Sequence, residues 1–291
     1  VSEPLVYVLV LNYQSWPDTL RCLGALECLS YPNFRVLVLD NASPNDSVPR
    51  IQTAFPNIEL IRLERNLGFA GGNNVGIRRA LADGADYVWL LNPDTLADPQ
   101  SLSAMVQLAQ SDPQIGAVGS VLYQMNQPQQ VQVWGGGEVV LHWGLIRLLS
   151  SPEQISRLSY LSGASVLLER TALERVGLLD EGFFMYGEDA DLGLRLKKAG
   201  FKLAVASDSR VLHQGSTSWK GANLASDENF AAANVRLFRK HAPFPNLAAA
   251  AYCVFWTLEY SLRRRWASTG ALWRGARRGW SLPIREEPWK F

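Results

Sequence analysis

A chain of 291 residues is long enough to bury a sizeable core, as one large domain or two small ones. At 47% hydrophobic and 19% charged its composition is ordinary for a globular protein, and a net charge of +1 gives no global basic field that would argue for nucleic acid. Three cysteines, Cys22, Cys28 and Cys253, lack CxxC spacing and so suggest neither a disulfide framework nor a zinc site. Cys22 and Cys28 fall on one predicted helix and are expected to be buried as small hydrophobes. No basic region followed by an apolar run opens the sequence, so no signal peptide is expected and a cytosolic, reducing environment is.

Leu5 to Leu11 reads as an apolar strand ending at Asn12-Tyr13. Ser15 and Pro17 then open a helix on which Leu20, Leu23, Leu26 and Leu29 recur at helical spacing. Val36 to Leu39 is a second strand, closing on Asp40-Asn41-Ala42-Ser43. A short helix is expected over about 46–55 and a strand over 58–63, and the glycine-rich stretch from Asn66 to Asn74 leads into a helix through Ala82. Tyr87 to Leu91 is a continuous apolar run, read as a strand buried on both faces within a parallel sheet. Pro93 cannot donate to a ladder, so this strand ends at about Asn92. Asp94 then stands just past its carboxyl end, where open α/β sheets bind ligands. Asp98-Pro99 reads as a cap opening a helix to about Gln110, and Ile115 to Leu122 as another strand. Alternation at this spacing predicts βαβ units, so residues 1–120 form a doubly wound half with a mostly parallel sheet and helices on both faces. The strand ends at Asn12, Asp40 and Asn92/Asp94 then share one edge.

Beyond residue 122 the pattern loosens. Val131–Trp134 and Val139–Leu141 flank Gly135-Gly136-Gly137 as a hairpin, and 144–160 carries few signals and reads as a mobile loop. Ser162-Gly163-Ala164 precedes a strand through Leu168, and Thr171 to Val176 is helical. Phe183, Phe184 and Tyr186 lead into Glu188-Asp189, and a helix from about 188 to 199 stops at Gly200. Strands near 202–206 and 210–212 end at His213, and a helix covers about 224–241.

Each candidate group has two readings. Asp94 can hold a divalent cation that bridges phosphates, or simply start a turn after Pro93. Asp40 can accept from a base N–H or a ribose hydroxyl, or make an Asx-turn. The glycine-rich stretch matches neither GxGxxG after a strand nor GxxxxGK, but its N–H groups at a helix start suit an anion. Glu188 and Asp189 suit a helix N-terminus through its dipole, and an apolar collar would also prepare one of them as a general base. Asp191 and Arg195 read as an ordinary surface pair. His213 gains meaning only near Asp94.

Taken together, these residues resemble the family-2 inverting glycosyltransferases with a GT-A fold. The matching signals are Val10-Leu11-Asn12-Tyr13, Asp40-Asn41-Ala42-Ser43, Asn66 to Ala70 with Gly72-Asn73, Leu91-Asn92-Pro93-Asp94, Gly187-Glu188-Asp189 with Asp191, and His213. They run in order over roughly residues 5 to 241, and the nearest subset resembles bacterial rhamnosyltransferases and galactofuranosyltransferase-like enzymes of cell-surface polysaccharides. The resemblance implies a nucleotide-sugar donor, dTDP- or UDP-linked with rhamnose favoured, and a Mg²⁺ or Mn²⁺ ion. It assigns the donor to Asn12, Tyr13, Asp40, Asn41, Ser43, Asn66, Gly68, Phe69, Gly72, Asn73 and Asn92, and the metal to Asp94 and His213. Asn92 stands where the family's Asp-x-Asp motif has its first acid, so one negative charge is missing. Asp189 is the implied catalytic base, with Glu188 its rival, and Ser162, Gly163, Ala164 and Glu188 line the acceptor side. The acceptor is a glycan hydroxyl, polyprenyl-linked by analogy. A non-catalytic nucleotide-sugar-binding or scaffold protein is the alternative that Asn92 motivates, and a sugar nucleotidyltransferase lacks its Gly-rich signature here.

These readings place a glycosyltransferase domain at 1–245, with donor and acceptor halves at 1–120 and 121–245, and a separate segment at 246–291. That segment holds eight Lys/Arg against three Asp/Glu and five of the ten Trp. Leu247 to Tyr260 is apolar but shorter than the ~20 residues that span a bilayer. Trp266, Trp273 and Trp280 fall seven apart, beside Arg274, Arg277 and Arg278. Amphipathic helices of this kind suit the interface of a membrane, here the cytoplasmic face of the cell membrane. The same pattern also suits packing on the catalytic domain or on another subunit.

Overall fold

The computed structural model describes residues 3–215 and 224–284. Its first half alternates as the sequence predicts: β1 (Val6–Asn12), α1 (Trp16–Leu26), β2 (Phe34–Asp40), α2 (Ser47–Ala54), β3 (Glu59–Arg62), α3 (Gly68–Ala82) and β4 (Tyr87–Leu91). Pro17 sits in the first turn of α1, and Thr19, Cys22, Leu23 and Leu26 are its buried stripe. All five residues of β4 are buried. The glycine-rich stretch does not precede a helix but forms one, since α3 starts at Gly68.

The chain continues through β5 (Thr95–Ala97), α4 (Ser101–Ser111), β6 (Ile115–Gln124), β7 (Gln127–Trp134) and β8 (Gly136–Val140). Next come β9 (Leu145–Leu148), β10 (Tyr160–Leu161), β11 (Ser165–Glu169), α5 (Arg170–Val176), α6 (Glu188–Lys198) and β12 (Lys202–His213). Three helices close the described chain: α7 (Leu224–His241), α8 (Pro245–Leu262) and α9 (Trp266–Ser281).

The central sheet runs in the order β3-β2-β1-β4-β11-β6-β12-β5, with β7 beside β6. It is parallel from β3 to β4, and again between β6 and β12. β11 inserts antiparallel between β4 and β6, so the second half is mixed. One face packs Val6, Val8, Val10 and Trp89 under α1 and α4. The other packs Tyr7, Leu9, Leu37 and Leu90 under α3, α5 and α6.

Four local expectations change. The hairpin expected across Gly135 does not form, because β7 pairs with β6 while β8 joins a separate small sheet with β9 and β10. The stretch 144–160 is not a bare loop: it holds β9, a 3₁₀ turn at Pro152–Arg157 and the start of β10. The strands expected at 202–206 and 210–212 are one strand with a bulge between Ala206 and Arg210. Cys28 lies beyond the end of α1 and is exposed, while Cys22 is buried.

α7, α8 and α9 share a third apolar cluster, built on Phe238, Tyr252, Cys253, Leu272 and Ala276 and continuous with Phe183, Val139 and Tyr160. The boundary expected at 245 thus falls inside one core. Behind it Arg236 on α7, with a side chain only 2% exposed, pairs with equally buried Asp180 at 3.1 Å, and Lys240 meets the same carboxylate at 2.7 Å. Burial alone would raise the Asp180 carboxyl, but Lys240 and Arg236 outweigh it and hold its pKa below the ordinary value. Arg236→Ala removes one of the two cations that hold this buried charge and leaves Lys240, so it is expected to cost about 1.5–3 kcal/mol at neutral pH. The lowered pKa gives stability that is present above the ordinary Asp range and fades as pH falls through the folded value. Urea denaturation of both proteins should therefore show the loss shrinking in acid.

Candidate active site

Matched register brings the polar strand ends together. Asn12 pairs with Asp40 across β1 and β2, and Leu91 of β4 lies beside Val10 of β1. His213, the last residue of β12, pairs with Thr95, directly after Asp94. Backbone bonds tie the same edge: Gln214 N donates to Asp94 O at 2.9 Å and Asn92 N to Ala164 O at 3.0 Å.

At the β1–β2 end, Asp40 is fully buried and takes hydrogen bonds from Asn12 Nδ2 at 2.7 Å and Ser43 N at 3.0 Å. Asn12 Oδ1 accepts from Thr19 Oγ1 at 2.9 Å, and Ser43 Oγ from Gln14 N at 2.8 Å. Asn41 Nδ2 donates to Asn66 Oδ1 at 2.9 Å and to Gly68 O at 3.0 Å, and Asn41 Oδ1 accepts from Leu67 N at 2.9 Å. These side chains therefore shape the rim through contacts within the protein, while Tyr13 is exposed. Asn73 lies inside α3 and donates to Phe69 O at 3.0 Å, and Gly72 beside it is buried. Gly68 takes a φ of +73°, and a Cβ there would strike the Phe184 carbonyl. The loop before α6 thus sits directly on the start of α3, where Phe69 N donates to Phe184 O at 2.7 Å.

Backbone strain gathers here. Among the described residues Gln14, Ala42, Tyr186 and Arg264 are the non-glycine positions with positive φ, and the first three border this edge. Tyr186 and Gly187 are consecutive left-handed residues immediately before α6.

Asp189, in the first turn of α6, accepts from Gly163 N at 3.2 Å and from Ala190 N at 2.8 Å. A Cβ on Gly163 would meet the Phe69 ring at 3.2 Å and Asp189 Cβ at 3.8 Å. Ser162-Gly163-Ala164 therefore bridges the two halves, with Ala164 held by Asn92 and Gly163 by Asp189. Below this junction is a cavity of about 20 Å³, lined by Phe69, Leu161, Gly163, Asp189, Leu192 and Gly193 among others. It has room for about one water.

Burial raises the Asp189 pKa, against the opposing N–H groups of Gly163 and Ala190. Glu188 is pushed well above the usual carboxylate range, by burial first and then by the Asp189 charge beside it. Its Oε2 is buried without a hydrogen-bond partner among the described residues. The expected aromatic collar is only part built, because Phe183 is buried but Phe184 faces solvent.

Asp94 Oδ1 and His213 Nε2 stand 3.5 Å apart, with side chains 21% and 14% exposed. The expected proximity is present, and Gln132, which the sequence reading passed over, holds the other ring nitrogen. No group of three or more His, Cys, Asp or Glu that could hold a metal occurs among the described residues. One carboxylate still suits a Mg²⁺-like ion, which keeps several waters and takes one or two carboxylates plus substrate phosphates, with the imidazole beside it.

Asp191 corrects the surface-pair expectation. It is fully buried and bound by Arg195 at 2.8 Å and by Lys240 and His241 at 2.7 Å each. No sequence spacing links Lys240 and His241 to α6, so only tertiary structure reveals them.

The fold is that of the GT-A glycosyltransferases. The chain is a member of the family described as "Glycosyltransferase like family 2", which it matches over residues 4–228, and it is a glycosyltransferase. It is 30% identical over 229 residues to the N-acetylglucosaminyl-diphospho-decaprenol L-rhamnosyltransferase of Mycobacterium tuberculosis, covering 71% of this chain and 75% of that one. A galactofuranosyltransferase of the same organism is 25% identical over 226 residues, covering 74% and 72%. Among solved structures, a mannosyltransferase from Pyrobaculum calidifontis in complex with GDP-Man and Mn²⁺ shares the fold, with a TM-score of 0.64 at 19% identity, over 97% of this chain and 88% of that one.

A carboxyl whose folded pKa is raised contributes stability below its ordinary pKa that is lost as pH rises through the folded value. Glu188→Gln removes that penalty. It is expected to stabilise the protein by about 1–3 kcal/mol above the raised Glu188 pKa. Denaturation below the ordinary Glu range should show little difference between the two proteins.

Proposed function

We propose that this chain is an inverting glycosyltransferase that moves a sugar, rhamnose favoured, from a dTDP- or UDP-linked donor to a hydroxyl of a polyprenyl-linked glycan in cell-surface polysaccharide synthesis. The observation that carries the reading is that Ser162-Gly163-Ala164 bonds Asp189 through Gly163 and Asn92 through Ala164, two residues before Asp94, which stands 3.5 Å from His213. The rhamnosyltransferase named above supplies the sugar and the lipid-linked acceptor class.

In this mechanism Asp189 accepts the proton of the acceptor hydroxyl as that oxygen attacks the anomeric carbon. Its raised pKa brings it toward the value a general base needs at neutral pH. The nucleoside diphosphate departs from the opposite face, so a single displacement inverts the centre. Gly163 N–H orients the Asp189 carboxylate, and the 162–164 segment seats the acceptor. Tyr13, the Asp40–Asn41–Ser43 turn, Asn66 and the start of α3 form the donor wall, with Asn92 beside it. Asp94 and His213 would hold Mg²⁺ or Mn²⁺, which when bound offsets the negative charge growing on the leaving diphosphate.

Asp189→Asn is expected to lower kcat by at least about 10²-fold while the nucleotide still binds, measured by transfer assay and calorimetry. Turnover near the wild-type rate would remove Asp189 from the role of base. EDTA should stop transfer and added Mn²⁺ should restore it.

Peripheral attachment to the inner face of the membrane completes the reading. No described helix is long and apolar enough to cross a bilayer. Trp266, Trp273 and Trp280 are 65%, 52% and 40% exposed on one face of α9, and Leu247, Val254, Leu258 and Leu262 are exposed along α8. Arg263, Arg264 and Arg277 are exposed on the same two helices and their connection; Trp289 lies outside the described residues. An apolar face rimmed by arginine suits an anionic interface. Since α8 and α9 bury Tyr252, Cys253 and Leu272 against α7, removing them would disturb the core. The sharper test replaces Trp266, Trp273 and Trp280 with Ser. Sedimentation with anionic liposomes should fall at least about fivefold at unchanged Tm, and equal binding would discard the membrane role.

A further inference from the structure

The ring of His213 is held from its far side. Nδ1 lies 2.8 Å from Gln132 Oε1, on β7. A carboxamide oxygen only accepts, so the proton of this contact belongs to Nδ1. A neutral imidazole carries one N–H, and Nε2 is then left with a bare lone pair. That lone pair faces Asp94 Oδ1 at 3.5 Å. The gap is longer than the ~2.7–2.9 Å of a charge-assisted N–H···O bond, so it does not read as an imidazolium–carboxylate bond. Two acceptors instead stand close enough to serve as neighbouring ligands of one cation.

The backbone on both sides of this contact is tied. Met125 N donates to His213 O at 3.1 Å, and Gln214 N donates to Asp94 O at 2.9 Å. The Gln132 amide nitrogen is turned toward Gly215, where a Cβ would lie 2.6 Å from Nε2. A side chain at 215 would push the amide away from the imidazole.

We infer that Gln132 is a positioning residue that fixes His213 in its Nδ1–H tautomer and leaves the Nε2 lone pair free beside the Asp94 carboxylate. The inference rests on the metal reading proposed above and assigns that site a second layer. An outer partner of this kind typically governs metal affinity by 10- to 100-fold.

Two measurements on the full chain test it. Nitrogen-15 NMR of the histidines, with His213 assigned by its loss in His213→Ala, should show a protonated Nδ1 and an unprotonated Nε2 in the wild-type protein. The reverse pattern overturns the inference, whatever the variants do. Mn²⁺ titration followed by EPR then compares Gln132→Leu, which has no acceptor, with Gln132→Glu, which keeps one. The Leu variant is expected to bind Mn²⁺ about 10- to 100-fold more weakly, and the Glu variant within about threefold of wild type. If His213→Ala weakens Mn²⁺ binding while Gln132→Leu does not, Gln132 has no such role. If Asp94→Ala and His213→Ala both bind Mn²⁺ as the wild type does, the metal reading itself fails.

Discussion

One buried carboxylate joins the parts of this molecule. Asp191 has no exposed surface and is shared by Arg195, Lys240 and His241. Burial would raise its pKa, yet the His241 hydrogen bond and the neighbouring cations hold it well below the usual carboxylate range. Arg195 also donates to the carbonyls of Val176, Gly177 and Leu178, so the loop after α5 is fixed by the same group. Lys240 reaches on to Asp180, which Arg236 pairs. α6 is thereby clamped to α7 two residues beyond Asp189. In a low-dielectric interior such a network has few alternative arrangements, because any other leaves a charge unpaired.

That clamp explains how two adjacent acids can be held in an unfavourable place. Glu188 and Asp189 both sit where burial disfavours their charge, and Glu188 Oε2 lacks a partner. A helix free to shift would turn them toward water. The Asp191 cluster at the back of α6 and the left-handed pair Tyr186-Gly187 at its start leave little room for that. Neighbouring carboxyls in one environment repel each other's charge, and the residue with N–H donors keeps the lower pKa. Asp189 has those donors from Gly163 and Ala190, while Glu188 has only its own backbone N–H and an unpartnered Oε2. The difference favours Asp189 as the ionised partner, which is the form a base must take.

The sequence carried the fold where the physics is local. Tyr87 to Leu91 is unbroken apolar chain stopped by Pro93, and both its burial and its end could be read directly. The placement of Asn12, Asp40 and Asp94 on one edge followed from strand alternation, since parallel strands must align their carboxyl ends. Pairing partners were less legible. β7 has the same side-chain period whether it folds against β6 or β8, so the residues around Gly135 could not choose between them. Apart from Asp94 and His213, which the resemblance brought together, the long-range polar contacts were not legible. Asp191 and His241 are 50 residues apart, and His213 and Gln132 are 81 apart. Cys28 failed for a simpler reason: the helix ends at Leu26, and the apolar stripe continues one turn further in sequence than in structure.

Asn92 is the site's departure from its family pattern, and its surroundings give that departure a consistent charge balance. Its structural tasks belong to the backbone, with N donating to Ala164 O and O accepting from Thr95 Oγ1 at 2.6 Å. None of these contacts requires an acid or an amide. Asn in place of an acid therefore changes the charge of the site without changing these contacts. On the proposed reading, a divalent cation held by one carboxylate and a neutral imidazole keeps a net charge of about +1, whereas two carboxylates would cancel it. The weaker protein grip leaves more of the ion's field for the diphosphate. It also makes the fixed tautomer of His213 more important, because with a single acid each remaining lone pair carries a larger share of the binding.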